Sequence, residues 1–71
     1  MATELVCPMV GKVVSVLVKD GDKVETNQTV VVIEAMKMNV DVVAPASGTI
    51  KDIKVKPGDV VDTGMVLALI E

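Results

Sequence analysis

Few residues of this chain are of types that do chemistry, and they do not form a catalytic set. The exception is Glu34-Ala35-Met36-Lys37-Met38, close to the middle of the 71 residues, where one lysine stands between two methionines. A valine-rich run, Thr29 to Ile33, leads into this stretch, and a second β-branched run, Val40 to Val43, leads out. Two such runs around a short unbranched segment read as a hairpin with the lysine at its tip, where an amine is most available to another protein. The chain has no histidine and one cysteine, Cys7. No zinc-ligand spacing, paired carboxylates, Ser/His/Asp set or glycine-rich phosphate loop is present. Lys37 is therefore the candidate reactive group.

Composition narrows the setting. A chain this short is at most one small domain, and with a single cysteine it forms no internal disulfide. Its core must come from apolar burial. The hydrophobic fraction of 51% permits that, but without Phe, Trp or Tyr the packing relies on valine with Ile, Leu and Met. Cys7 is expected to be a buried thiol with no chemistry of its own. A net charge of −3 disfavours a phosphate backbone as partner, and with no aromatic ring there is no platform for base stacking. No apolar run approaches the length of a membrane span, so no direct membrane insertion is expected, and no signal peptide is visible at Met1-Ala2-Thr3. The expected location is cytoplasmic.

The elements that must position Lys37 are short strands. Apolar runs are punctuated by Gly, Pro, Asp and Asn, and no segment keeps a 3.6-residue apolar period long enough for a helix. An internal repeat fixes their arrangement. With Gly11 laid on Gly48, Val6 and Pro8 fall on Val43 and Pro45, Val18-Lys19 on Val55-Lys56, and Gly21-Asp22 on Gly58-Asp59. Val24, Thr26 and Glu34 then fall on Val61, Thr63 and Glu71, and Glu4 on Asp41. Neither half is large enough to bury its own apolar face, so the halves must pack together as two small antiparallel sheets about a pseudo-twofold axis. Asp20-Gly21 and Pro57-Gly58 are turn dipeptides, and Asn27 and Gly64 are the types that best tolerate a left-handed backbone. Asp22 and Asp59 are expected to bond nearby backbone amides in those turns. Ile50, Ile53 and Val55 break strict alternation, which predicts a β-bulge at Lys51-Asp52 and an equivalent one at Val14-Ser15. The symmetry puts Lys37 at one end of the domain and both termini near the other.

With these features in place, the whole chain, residues 1–71, resembles a single biotinyl domain, the carrier part of biotin-dependent carboxylases and decarboxylases. Glu34-Ala35-Met36-Lys37-Met38 resembles the attachment motif of that family, with Lys37 in the biotinylated position. Pro8-Met9-Val10-Gly11 resembles its Pro-Met-x-Gly segment, and Lys56-Pro57-Gly58-Asp59-Val60-Val61 its second-half turn. The resemblance implies an all-β flattened barrel-sandwich of two four-stranded antiparallel sheets. It leaves no room for the inserted "thumb" of some bacterial carriers, because the halves align without a gap. The Pro/Ala-rich linker of longer carrier subunits is also missing, so the chain reads as a stand-alone carrier or the end of a larger one.

The resemblance further implies that a biotin protein ligase joins biotin to Lys37. The arm then moves CO₂ between biotin carboxylase and carboxyltransferase or decarboxylase components, and the domain itself is non-catalytic. An amine is nucleophilic only in its neutral form, so the ligase must help to remove the proton. Met36 and Met38 beside a tip are read as a recognition surface rather than core filling. Glu34 and Ala35 belong to the same recognition stretch, although the repeat mate Glu71 also makes Glu34 a simple strand end. Met9 is expected near Lys37, either meeting the partner or filling a turn. Three other readings compete. A lipoyl domain of 2-oxo acid dehydrogenases shares the fold and the hairpin lysine, but its site reads Asp-Lys-Ala. An unmodified barrel-sandwich interaction module would not need Lys37. A Schiff-base enzyme would need a buried amine in a pocket.

Overall fold

The computed structural model describes residues 2–71. Eight strands follow in order: β1 (Thr3–Val6), β2 (Gly11–Val16), β3 (Lys23–Val24), β4 (Thr29–Ala35), β5 (Met38–Val43), β6 (Gly48–Ile53), β7 (Val60–Val61) and β8 (Val66–Ile70). They form two four-stranded sheets, ordered β1-β8-β6-β3 and β5-β4-β2-β7, with every pairing antiparallel. The expected repeat relates one sheet to the other strand by strand: β1 to β5, β8 to β4, β6 to β2 and β3 to β7. Each sheet takes two strands from each half of the chain. The halves are thus interleaved rather than stacked, because the chain changes sheet at every connection except the β4–β5 hairpin.

The hydrogen bonds repeat as closely as the sequence. Leu17 N–H donates to Val30 O at 2.8 Å and its mate Lys54 N–H to Leu67 O at 2.9 Å. Asn27 N–H donates to Ala44 O and Gly64 N–H to Cys7 O, both at 2.8 Å. Asn27 and Gly64 have φ of 71° and 86°, and Gly21 and Gly58 have 93° and 98°, the left-handed conformation that their residue types suggest. Asp22 and Asp59 each accept a bond through Oδ2 at 3.0 Å, from Lys19 N–H and Lys56 N–H. These bonds close the two turns locally.

Alternation carries the core. Val13, Val30, Val31, Ile33, Ile50, Val61, Leu67 and Ile70 are buried between the sheets, where close packing of small branched side chains replaces the missing aromatics. The expected bulges occur: the registers skip Val14 on β2 and Lys51 on β6. A second symmetric pair skips Val30 on β4 and Leu67 on β8. These let Val30-Val31 and Leu67-Ala68 be buried side by side, which strict alternation forbids. Cys7 is buried as expected, and its thiol donates to Met9 O at 2.8 Å.

Candidate functional site

Lys37 is positioned by β4 and β5, which pair from Thr29 opposite Val43 to Ala35 opposite Met38. Met36 and Lys37 are therefore the two central residues of a two-residue hairpin turn. Both have positive φ, 53° and 62°, as in a type I′ turn, whose twist matches the flanking strands. Such turns favour Asn-Gly because a left-handed backbone costs other L-residues about 1–2 kcal/mol each. Two successive strained residues are held here by the strand pairing beneath them. Strain of this kind concentrates at functional positions.

The tip presents its side chains to solvent. Met36 is 91% exposed and Met38 68%, and Lys37 is exposed between them. Neither methionine fills the core, which agrees with reading them as surface. Among the described residues the salt bridge formed joins Lys54 and Asp52 at 2.9 Å, and Lys37 takes no part in it. Ala35 is buried, so its methyl group supports the tip from below rather than meeting a partner.

One step below the tip, an exposed row crosses all four strands of the sheet. Val60 lies opposite Lys12, Lys12 opposite Glu34, and Glu34 opposite Asn39. Glu34 thus sits on the outer face between Lys12 and Asn39, a neighbourhood that sequence reasoning missed. Its signal lay in the pairing register rather than in any motif. The Pro8-Met9-Val10-Gly11 loop does reach the hairpin, but through Gly11. A Cβ there would lie 2.6 Å from Glu34 O and 3.4 Å from Ala35 Cβ, so only glycine lets β2 approach the hairpin base so closely. Met9 is 39% exposed; among the described residues, no hydrogen bond ties it to the hairpin.

The hairpin tip lies at the opposite end of the molecule from Thr3 and Glu71. β2 begins beside Glu34, and its chain runs on to the Asp22 turn, where Ile50 N–H donates to Asp22 O at 2.7 Å. Ile50 in turn pairs with Ile70, and Ile70 with Thr3. The molecule measures 32 × 17 × 17 Å, and these pairings set the two ends apart along its long axis. Lys37 is thus held clear of the body on a strained, fixed turn.

This arrangement suits an accessible amine that carries a covalently attached group. No group of His, Cys, Asp and Glu among the described residues could hold a metal. A surface groove lies along β1 and β5, and Lys37 is exposed, unlike the enclosed amine that a Schiff-base enzyme needs.

Comparison with known proteins agrees with this geometry. The family described as "Biotin-requiring enzyme", covering biotin and lipoyl attachment domains, matches residues 3–70. The chain is 65% identical over 34 residues to the biotin carboxyl carrier protein of acetyl-CoA carboxylase of Solanum lycopersicum, covering 48% of this chain and 49% of that protein. It is 60% identical over 35 residues to the 2-oxoglutarate carboxylase large subunit of Hydrogenobacter thermophilus, covering 49% of this chain and 5% of that protein. Its fold matches a part of the Kluyveromyces lactis urea carboxylase with a TM-score of 0.94 and 35% identity, over 100% of this chain and 6% of the other. The matches thus span about half the length of the carrier protein and a small part of the larger enzymes.

Proposed function

The chain belongs to the biotin/lipoyl attachment family of biotin-requiring enzymes, and on that premise we propose that it is a biotin carboxyl carrier with Lys37 as its attachment residue. The observation that carries this reading is the exposed Lys37 on a strained Met36-Lys37 turn, at the end of the long axis away from the termini. Similarity to the carrier protein of one carboxylase and to parts of others supports biotin over lipoate.

On a biotin protein ligase, Lys37 Nζ attacks the carboxyl carbon of biotin after ATP has activated it. The C–N amide bond forms as the bond to the phosphate leaving group breaks, and the ligase takes up the amine proton. Met36 and Met38 offer that ligase soft, polarizable surface on either side of the amine. The bound group supplies a ureido nitrogen that carries CO₂ between the biotin carboxylase and carboxyltransferase or decarboxylase components. The chain's own part is to hold the attachment point rigid and far from the chain ends. Both active sites then meet the arm at high effective concentration. Acid–base and bond-making work falls to the partners.

Incubation with ATP and either a biotin protein ligase plus biotin or a lipoate ligase plus lipoate, followed by intact-mass measurement, tests the reading. One biotinyl group and no lipoyl group is the expected result. Lipoylation without biotinylation would move the chain to the 2-oxo acid dehydrogenase class. No modification of the folded protein by either would leave an interaction module.

A further inference from the structure

The edge strands β1 and β5 belong to different sheets and do not pair with each other. Their residues nevertheless line a common groove of ≈ 290 Å³. Leu5 and Val42 form its buried floor, Glu4 and Val6 one wall, and their repeat mates Asp41 and Val43 the other. Because mates face each other, the groove lies on the pseudo-twofold axis. β1 runs towards the lysine end and β5 away from it, so Asp41 and Glu4 stand towards opposite ends of the groove on opposite walls.

Four properties define what fits. The groove is apolar along its middle, with Val6 44% and Val43 38% exposed. Its charged lining residues, Glu4 and Asp41, are both acidic, and neither forms a salt bridge among the described residues. Each wall is the outer edge of a sheet, and such an edge directs alternate backbone N–H and C=O groups away from its partner strand. Pro8 and Pro45 also line the groove and lack an N–H, which confines free pairing to a few residues on each edge. A second copy of this chain would bring four carboxylates together.

We infer that this groove docks a short extended segment of a partner protein, with β-branched residues at its centre and a lysine or arginine on either side. The segment's backbone adds to one edge strand, its apolar side chains lie over Leu5 and Val42, and its two cations meet Glu4 and Asp41. Because the groove is close to palindromic, the segment is accepted in either chain direction. The flank is distinct from the Lys37 tip, so docking there leaves the amine free.

The test is titration of ¹⁵N-labelled protein with the peptide acetyl-Lys-Val-Thr-Val-Lys-amide, followed by amide chemical shifts. The expected result is saturable shifts on β1 and β5, weakened by salt, with none at Met36-Lys37. The double variant Glu4→Lys, Asp41→Lys should bind roughly tenfold more weakly, since it turns two exposed charge contacts into repulsions. Both carboxylates are exposed, so the variant keeps its fold and circular dichroism verifies that. Equal binding of the Glu-Val-Thr-Val-Glu peptide, binding unaffected by the double reversal, or shifts centred on the hairpin would each overturn the proposal. So would the absence of shifts at millimolar peptide. Biotinylation at Lys37, measured separately, is independent of all these outcomes.

Discussion

Replacing Met36 with asparagine should make the protein more stable and a poorer substrate for its ligase. Met36 holds φ at 53°, and the left-handed region costs an ordinary L-residue about 1–2 kcal/mol. Asparagine tolerates that region and leads type I′ turns. Unlike glycine, it adds little freedom to the unfolded chain. Met36 is 91% exposed, so its removal loses almost no burial. The net gain is about 1 kcal/mol, which for a chain of this size raises the Tm by about 4–8 °C. With no tyrosine or tryptophan, far-UV circular dichroism or calorimetry is the suitable readout. The ligation kcat/KM should fall in parallel, because the side chain removed is the one most exposed beside the amine. An unchanged or lower Tm would show that the turn is not strained as its dihedral angles indicate. A higher Tm with undiminished ligation would remove Met36 from the recognition surface.

Two paired substitutions exploit the internal symmetry. A Cβ on Gly11 would meet Glu34 O at 2.6 Å, and one on Gly48 would meet Glu71 O at 2.6 Å and Ile70 Cγ2 at 2.7 Å. Gly11→Ala and Gly48→Ala should each cost about 1–3 kcal/mol in chemical unfolding, but only Gly11→Ala, at the hairpin base, should slow ligation of the folded protein. Asp22→Ala and Asp59→Ala each remove one side chain to backbone bond of 3.0 Å. Each should cost about 1 kcal/mol, and the double variant should cost the sum, because the two turns lie far apart and share no partner.

Symmetry was the most legible part of the fold. Laying Gly11 on Gly48 correctly anticipated that one sheet maps onto the other, the left-handed Asn27 and Gly64, and the Asp22 and Asp59 turns. The bulges at Val14 and Lys51 were readable because the second-half run mixes polar and apolar residues, so a break in alternation shows. Those at Val30 and Leu67 were not readable, since their neighbours Val31 and Ala68 are apolar as well and one buried residue beside another leaves no mark. Interleaving also escaped notice, because a repeat fixes symmetry without fixing which strands pair. At the site, the hairpin around Lys37 followed from the β-branched runs on either side. Its turn type did not, because Met-Lys carries none of the Asn-Gly signal and adopts that turn against its preference. Gly11 was part of a quoted motif, but its reason, the approach to the Glu34 carbonyl, is visible only in three dimensions.

The central proposal is that Lys37 alone carries biotin, although the chain has seven lysines of similar chemistry. Peptide mapping by mass spectrometry after exposure to biotin protein ligase, ATP and biotin, with Lys37→Arg treated in parallel, tests it most directly. The expected result is one biotinyl group per chain, found on the peptide containing Lys37, and none on the variant, whose dichroism and Tm stay those of the parent. Biotin on any of the other six lysines, or ligase-dependent biotin on Lys37→Arg, would contradict it.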